Sequence, residues 1–226
     1  MAELQPLHEF ISGGFLCVFG LRVLEFLLDR EVSGRIFVEC VFGFGVSRAA
    51  AEALVGFIDG ELLGMVYSPL LPSVSTVVDG VVSPTGMELY GSDRMGVLVL
   101  TGGEVPQPSS IPEYYEVGWE LLEAARRMGC RYVLSVSGIL SAEEVEEVYV
   151  ASTSDRLMRL AMEVGCKPYQ GGRLVGVSSL LPAMAPLVGL EGMCVLPTVS
   201  GEEYEREAGL RAFRVLRHVV TASARG

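Results

Sequence analysis

Two glycine-containing turns hold the residues of this sequence whose types and spacing best suit chemistry. In the first, FGFGVSRAA at 42–50, Gly43 and Gly45 follow an apolar run and Arg48 comes three residues later. Where such a turn opens a helix, the free N–H groups of the first helical turn can hold an anion. The dinucleotide-binding pattern G-x-G-x-x-G requires a third glycine where Arg48 stands, so we expect no pyrophosphate site of that type. The alternative is a tight turn from a strand into a helix.

The second turn, LTGGEVPQP at 100–108, contains Gly102, Gly103 and Glu104. It follows an apolar run and precedes a helix, so Glu104 could lie at the carboxyl edge of a sheet and act as a general base. The neighbouring sequence offers neither a nucleophile nor a proton partner. A structural loop or a subunit contact is the alternative. The ligand-binding candidates are therefore six residues: Gly43, Gly45, Arg48, Gly102, Gly103 and Glu104.

The remaining chemistry-bearing residues form no recognised constellation. Ser178 and Ser179 are not in a G-x-S-x-G elbow, and no Walker, H-E-x-x-H or Ser/His/Asp pattern occurs. The two histidines, His8 and His218, lie near opposite ends of the chain. We therefore predict no catalytic set, no metal site and no cofactor.

The five cysteines are scattered and include no C-x-x-C pair. In their apolar contexts a free cysteine behaves as a small buried hydrophobe, which is the expectation here. A disulfide remains open, because intracellular proteins of hyperthermophiles do contain them. The cysteines are Cys17, Cys40, Cys130, Cys166 and Cys194.

Composition limits the class of partner. The net charge of −11 argues against nucleic acid, because phosphate contacts need clustered basic residues. Half of the residues are hydrophobic, which favours apolar surface covered by partner subunits, and hence a homo-oligomer. Lys167 is the single lysine and asparagine is absent, which fits a thermophilic source, although GC-rich coding would favour arginine in the same way.

No segment has the length and apolarity of a membrane span, and no signal peptide is visible at the N-terminus. We expect a cytoplasmic protein.

Apolar runs alternate with amphipathic segments along most of the chain. Six of these runs are largely continuous in apolar residues, as in strands covered on both faces. They are Arg35–Phe42, Leu62–Ser68, Gly96–Thr101, Arg131–Ser137, Glu147–Thr153 and Gly192–Thr198. A seventh run, Phe15–Val23, predicts another strand or the start of a helix through Leu28.

Serines in N-cap positions mark the starts of three helices, at Ser47, Ser110 and Ser154. A last helix is predicted from about Glu202 to Val220, acidic early and basic late, in agreement with the helix dipole. A segment rich in proline and glycine, 69–95, interrupts the alternation and suggests a β-hairpin or an extension that packs on a neighbour.

This order predicts a three-layer α/β/α fold with a mostly parallel sheet. No linker and no internal repeat divides the chain. We expect one domain over residues 1–226, with an N-terminal extension at 1–34 and a β-rich insertion at 69–95.

The glycine-marked segments, taken in order, resemble the proteasome assembly chaperone family, in particular the archaeal and bacterial relatives of the second eukaryotic assembly-chaperone subunit. The resemblance lies in order and spacing and covers about residues 35–220. The segments are GFGVSRAAAEALVGFI (43–58), GVLVLTGGEVPQP (96–108), RYVLSVSGILS (131–141), EVYVASTSDRLMRLAMEVG (147–165), GGRLVGVSSLLP (171–182) and the ending at 189–219.

The resemblance implies a phosphorylase/hydrolase-like α/β fold, homo-oligomers, and a role in assembling or binding proteasome-like particles. Two features differ from the family. The first turn, 42–48, lacks the proline and the last glycine of the family's P-G-x-G-x-x-G. The sequence ends Ala224-Arg225-Gly226 rather than in a hydrophobic residue, tyrosine and any residue, so we expect no tail insertion into proteasome subunits.

Two functional hypotheses follow. The first is a non-enzymatic, homo-oligomeric, chaperone-like protein that acts through protein–protein contacts, with proteasome subunits among its partners. The second is a small-molecule-binding or phosphorylase/hydrolase-like enzyme with its site at the carboxyl edge of the sheet. The second requires that Arg48 and Glu104 meet in one polar pocket.

Overall fold

The computed structural model describes residues 17–20, 23–141 and 146–224, which form thirteen strands and five α-helices. The strands are β1 (Cys17–Gly20), β2 (Glu25–Leu28), β3 (Ile36–Glu39), β4 (Glu61–Tyr67), β5 (Ser75–Val78), β6 (Val81–Pro84), β7 (Met87–Ser92), β8 (Val97–Gly102), β9 (Tyr132–Val136), β10 (Ile139–Leu140), β11 (Val148–Ser152), β12 (Lys167–Pro168) and β13 (Glu191–Val199). The helices are α1 (Phe44–Ile58), α2 (Ile111–Arg127), α3 (Asp155–Glu163), α4 (Val177–Met184) and α5 (Glu205–Ala224).

Eleven strands form one sheet in the order β1-β2-β4-β7-β8-β3-β9-β13-β11-β12, with β10 also pairing with β13. The centre of this sheet is parallel, because β8, β3, β9 and β13 run in the same direction. Strands β1, β2, β4 and β7 continue it as antiparallel neighbours, and β11 is antiparallel to β13. The sheet is therefore mixed. A connection as short as that between β7 and β8 can join only antiparallel strands.

Helices cover both faces of the sheet, which confirms the predicted α/β/α layers. In β3, Ile36 and Val38 point towards α1, α3 and α5, whereas Phe37 points towards α2 and α4. This alternation follows from the two-residue period of a strand. Because both faces are buried, the central strands need apolar residues at almost every position, which is why the six clear runs were recognisable.

Each of these six runs overlaps a described strand to within one residue or contains it, whereas two predicted helix ends differ from the structure. The predicted N-cap at Ser47 is wrong, because α1 begins at Phe44 with Gly43 in the N-cap position. The predicted start of the last helix is a 3-10 turn, Glu202–Tyr204, before α5. Ser110 and Ser154 do occupy N-cap positions.

The N-terminal region pairs as strands where it is described. Strands β1 and β2 form an antiparallel pair, so β2 replaces the helix considered through Leu28. Residues 1–16, and with them His8 and the start of the predicted extension, lie outside the described residues. Within the described part of the chain, no helix is long and apolar enough to cross a bilayer.

Candidate functional site

An apolar groove opens at the carboxyl edge of the parallel strands. Its volume is about 1090 Å³, and the loops that follow β3, β8 and β9 form its walls together with the beginning of α4. This edge is where open α/β sheets usually bind ligands, because the strands end there and the loops diverge. The described lining residues are Phe42, Gly43, Val46, Val105, Pro106, Gln107, Pro108, Ile111, Tyr114, Tyr115, Ser137, Gly138, Leu140, Leu174, Val175, Gly176, Val177, Leu180, Val199 and Glu205.

Several large apolar side chains of this groove are exposed to solvent. Val175 is 91% exposed, Leu140 87%, Ile111 76% and Tyr115 49%. Scattered apolar residues are normal on a protein surface, but a contiguous set around one depression marks a site for an apolar partner. Glu205 is the one charged residue among the described lining residues.

The start of α2 fixes one wall of the groove. Ser110 adopts an extended conformation in the N-cap position, and Pro112 lies at the first turn. The Glu113 carboxylate accepts a hydrogen bond from the backbone N–H of Ser109 at 2.6 Å, and this bond holds the pKa of Glu113 below its usual value. Ile111 and Tyr115, in the first two turns of this helix, line the groove.

A buried carboxylate shapes the opposite wall. Glu39, the last residue of β3, is fully buried, and its Oε1 accepts hydrogen bonds from the backbone N–H groups of Val41 (2.6 Å) and Phe42 (2.9 Å). Burial raises the pKa of Glu39, and these two bonds lower it only in part. The other oxygen, Oε2, has no hydrogen-bond partner among the described residues. Glu39 thus positions the turn that brings Phe42 to the groove.

Close packing explains the first glycine of this turn. A Cβ at Gly43 would clash with the carbonyl oxygen of Val136 at the end of β9 and would lie 3.1 Å from the Cα of Ser137. The turn after β3 therefore lies directly against the end of β9. Gly43 is the one of the six predicted ligand-binding residues that lines the groove.

A carboxylate of the protein lies beside the anion position predicted at the start of α1. A Cβ at Gly45 would clash with the carboxylate of Glu205, the first residue of α5. A negative carboxylate at a helix N-terminus is favourable for the same reasons that a phosphate would be. Gly45 therefore allows α5 to approach α1.

The other four candidates do not converge on the groove. Arg48 is exposed and pairs with Glu52 on its own helix, at 3.4 Å. Gly102 ends β8 next to Met87 of β7, whereas a Cβ at Gly103 would meet nothing within 4 Å. Glu104 is half-buried, and neither it nor Arg48 is among the lining residues. The groove therefore does not join Arg48 to Glu104, and the polar pocket that the enzyme hypothesis requires stays a prediction.

A short row of polar side chains lies buried below the groove. Glu39, Ser135 and Cys194 are register neighbours on β3, β9 and β13, and the Ser135 hydroxyl donates to the backbone carbonyl of Ser178 on α4. Burial raises the pKa of Cys194 to about 12. A thiol with such a pKa is neutral and unreactive at physiological pH.

The other described cysteines have the same character. Cys40, Cys130 and Cys166 are buried and free, and burial raises the pKa of Cys130 to about 12 and of Cys166 to about 11. No group of three or more metal-ligating side chains is found within the described ranges.

The sequence reasoning missed the residues that give the groove its character, Leu140 and Val175. Leu140 ends the two-residue strand β10, and Val175 lies in the loop before α4, next to Gly176. The signal was a large aliphatic side chain in a segment with no periodicity to bury it. The glycine pairs had the more familiar pattern, although Gly43, Gly45 and Gly102 allow close packing and Gly103 lies in an open turn.

Comparisons with known proteins agree with this fold. The model of the PAC2 family matches residues 44–222. A search of curated proteins gives no match.

Solved structures of similar shape come from archaea and bacteria. PbaA of Pyrococcus furiosus, described as an archaeal homolog of proteasome-assembly chaperone, is 22% identical with a TM-score of 0.72, over 88% of this chain and 86% of that chain. PbaB of the same organism, described as an archaeal proteasome activator, is 20% identical with a TM-score of 0.75, over 89% and 90%. The proteasome-assembly chaperone homologue Rv2125 of Mycobacterium tuberculosis is 17% identical with a TM-score of 0.61, over 84% and 91%. At these identities the likeness establishes the shared fold.

Proposed function

Because the chain belongs to the PAC2 family, we propose that it is a non-enzymatic, chaperone-like protein that binds partner proteins, proteasome subunits among them. The partner class comes from the similar structures, of which one is described as a homolog of a proteasome-assembly chaperone and another as a proteasome activator. A shared fold alone does not fix a function, so the site must supply the argument.

The observation that carries the proposal is the exposed apolar groove at the carboxyl edge. Its volume of about 1090 Å³ and its exposed aliphatic rim suit an apolar segment of a protein, because removing such side chains from water is the main favourable term in association. Leu140 and Val175 are central to this proposal, since they lose the most exposed area when a partner covers them. The Glu205 carboxylate lies beside Gly45 at the start of α1.

We also propose that the protein is a homo-oligomer. The hairpin of β5 and β6 exposes four valines that pair across its two strands, Val77 with Val82 and Val78 with Val81. A two-stranded hairpin alone is only marginally stable in water, and valines exposed on both of its faces favour cover by another copy. This contact would account for part of the high hydrophobic content of the chain.

The test is binding to purified proteasome subunits by a double variant of the groove, Leu140→Asp with Val175→Asp. We expect the dissociation constant for α- or β-subunits of the source organism to rise at least about tenfold, because a partner would have to bury unpaired carboxylates. Biolayer interferometry measures it. Circular dichroism and thermal unfolding check that both proteins are folded.

The matched control is Leu187→Asp, since Leu187 is 70% exposed and lies outside the groove. We expect the control to bind like the wild type. Absence of any binding by the wild-type protein, or equal weakening in the control and the groove variant, would overturn the proposal.

A further inference from the structure

Three arginines converge on a small cavity at the amino edge of the parallel strands, opposite the groove. The cavity has a volume of about 570 Å³, within the usual range for small-ligand sites of about 300–1,000 Å³. No motif in the sequence indicates it. Its described lining includes Arg35, Asp93, Arg131, Tyr132, Arg156 and Ser223.

The sheet brings these arginines together. Arg35 directly precedes β3 and Arg131 directly precedes β9, and β3 and β9 are parallel neighbours. The backbone N–H of Arg131 donates to the carbonyl of Arg35 at 2.8 Å, so the two residues are locked side by side. Arg156 reaches the same place from the first turn of α3. Residues distant in sequence thus meet at one edge, as strand-end residues of a parallel sheet must.

The buried ring of Tyr132 supports two of the three guanidinium groups. The guanidinium carbon of Arg131 lies 5.1 Å from the ring centroid and that of Arg156 lies 5.9 Å from it. Guanidinium groups held over an aromatic face remain planar and keep their N–H groups directed outward. This arrangement orders the cations before any ligand arrives.

Carboxylates of the protein neutralise only part of the positive charge of these three arginines. Arg131 donates two hydrogen bonds to the same oxygen of Glu191, at 3.1 and 2.9 Å. Asp93, the acid of the cavity, pairs with Arg30 at 2.8 Å. Glu191 also accepts from the Ser154 hydroxyl, and both Arg131 and Arg156 contribute to holding the pKa of Glu191 low.

Neither Arg35 nor Arg156 forms a salt bridge in the part of the chain that the structure describes, although Arg156 is near enough to Glu191 to lower its pKa, after the larger effect of the Ser154 hydroxyl. Arg35 donates to the backbone carbonyl of Ser223 at 2.6 Å, near the end of α5, and Arg156 forms no salt bridge within those residues. A positive surplus therefore persists in this cavity, although the chain as a whole carries a net charge of −11.

From this geometry we propose that the cavity is a binding site for a small phosphate-bearing molecule, of nucleotide size or less. The guanidinium group of an arginine binds two oxygens of a phosphate through two parallel N–H···O hydrogen bonds. Two or more arginines together balance the charge of a doubly negative phosphate group. Gly34 and Gly129 also line the cavity, without side chains that could compete for the arginines. Arg156 is the principal contact, because it lies over the Tyr132 ring and forms no salt bridge within the described residues.

Binding of inorganic phosphate, pyrophosphate and AMP to the full-length protein tests the proposal, measured by isothermal titration calorimetry at constant ionic strength. Potassium chloride and sodium sulfate serve as salt controls. We expect saturable binding of at least one phosphate compound, and a rise of about tenfold or more in its dissociation constant in Arg156→Ala, as for a lost charge-assisted hydrogen bond. Comparison of the three compounds shows whether free phosphate or a larger phosphate ester is the preferred ligand.

The matched control is Arg159→Ala, an exposed arginine on the same helix outside the cavity. It should bind like the wild type, and Arg156→Lys should be intermediate because it keeps the charge but loses the fork. Equal weakening in Arg156→Ala and Arg159→Ala would mean a general charge effect and would overturn the proposal. So would the absence of saturable binding for all three compounds.

A measurement on the unaltered protein covers the case in which Arg156→Ala does not fold. Phenylglyoxal modifies accessible arginines, and mass spectrometry locates the modified positions. The bound phosphate compound should slow modification of Arg156 and leave that of Arg159 unchanged. Equal rates at Arg156 with and without the compound would contradict the site.

Discussion

Glu39 is the residue whose chemistry conflicts most with its surroundings. It is a carboxylic acid with no exposed surface, at the end of a central strand, and it satisfies two backbone N–H groups that lead into the groove. One of its oxygens has no partner among the described residues. Burial without a counter-charge disfavours the ionised form, which is why its pKa is raised. An uncharged side chain of the same shape could hold the same turn.

Glu39→Gln should therefore stabilise the protein at neutral pH, while leaving the acceptor for Val41 and Phe42 in place. The sign follows from linkage. A raised pKa in the folded state means that the wild type is most stable below the ordinary value of 4.5, and loses stability as pH rises through the folded pKa. The difference in free energy of unfolding between Glu39→Gln and the wild type should increase as the pH rises from about 4.5 to the folded-state pKa, by at most about 1.4 kcal/mol for each pH unit. Above that pKa the difference should stay constant.

Urea unfolding of both proteins at a series of pH values from about 4 to about 8 measures this difference in free energy. Glu116→Gln, at an exposed position on α2, is the control and should show no such trend. If Glu39→Gln is less stable than the wild type across the whole range, the charged carboxylate is needed for the fold and the argument fails.

The same scale shows why residue types alone predicted the site poorly. Gly43 and Gly45 had the pattern of an anion-binding turn, and the structure shows a glycine packed against β9 and another against Glu205. Whether a glycine serves a ligand or a neighbouring element depends on what approaches it in space. That neighbour, Glu205, is 160 residues away from Gly45 in the sequence, and no local pattern connects the two.

At the scale of elements, the hairpin of β5 and β6 is exposed at every residue of both strands, so the rest of the chain does not cover it. Its Asp-Gly turn has positive φ at both positions, 50° at Asp79 and 81° at Gly80, as a tight type I′ turn requires. Val77 and Val82 remain 64% and 66% exposed. The local sequence thus specifies a hairpin, but this chain alone does not bury it.

Val77→Thr with Val82→Thr should weaken self-association and leave the hairpin intact. Threonine keeps the branched shape and the strand preference of valine but places a hydroxyl where a partner copy would bury a methyl group. We expect the midpoint concentration for association to rise at least about tenfold, because burial of each valine is worth about 1.5 kcal/mol or more. Light scattering after size-exclusion chromatography, over a dilution series, measures the mass.

Val164→Thr, at an exposed valine after α3, is the control and should keep the wild-type mass at every concentration. A variant that dissociates no more readily than the control would show that another surface joins the copies. A wild-type protein that is monomeric at all concentrations would contradict the homo-oligomer itself.

The elements also show what sequence could and could not predict. Strands such as β8 and β9 were recognisable because burial on both faces demands unbroken apolar runs. Strand direction could not be predicted in the same way, because it depends on how the strands are connected. The four residues between β7 and β8 have the sequence of an ordinary loop. The layers were predictable from alternation, whereas the antiparallel half of the sheet depends on how β1, β2, β4 and β7 pair, which no local pattern specifies.

At the scale of the whole molecule, the two proposed sites lie at opposite edges of one sheet. The groove lies beyond the carboxyl ends of β3 and β9, and the arginine cavity lies at their amino ends. A strand of four or five residues spans roughly 13–17 Å, at about 3.3 Å per residue. Sites at this separation that share no side chains usually act additively.

We therefore predict that the two sites function independently. Arg156→Ala should bind proteasome subunits like the wild type, and the groove variant Leu140→Asp with Val175→Asp should bind phosphate compounds like the wild type. Each dissociation constant should stay within about twofold, the error expected for distant, independent positions. The same interferometry and calorimetry serve for both, with each ligand also titrated in the presence of the other.

This crossed design separates the two proposals, because loss of either binding activity in the wild type leaves the other measurable. A phosphate compound that changes the affinity for the partner must itself bind more tightly or more weakly by the same factor when the partner is present. Such reciprocity would contradict independence and would mean that the rigid central strands transmit a change between the edges. If neither ligand affects the other, β3 and β9 serve as a common support on which two separate surfaces are built.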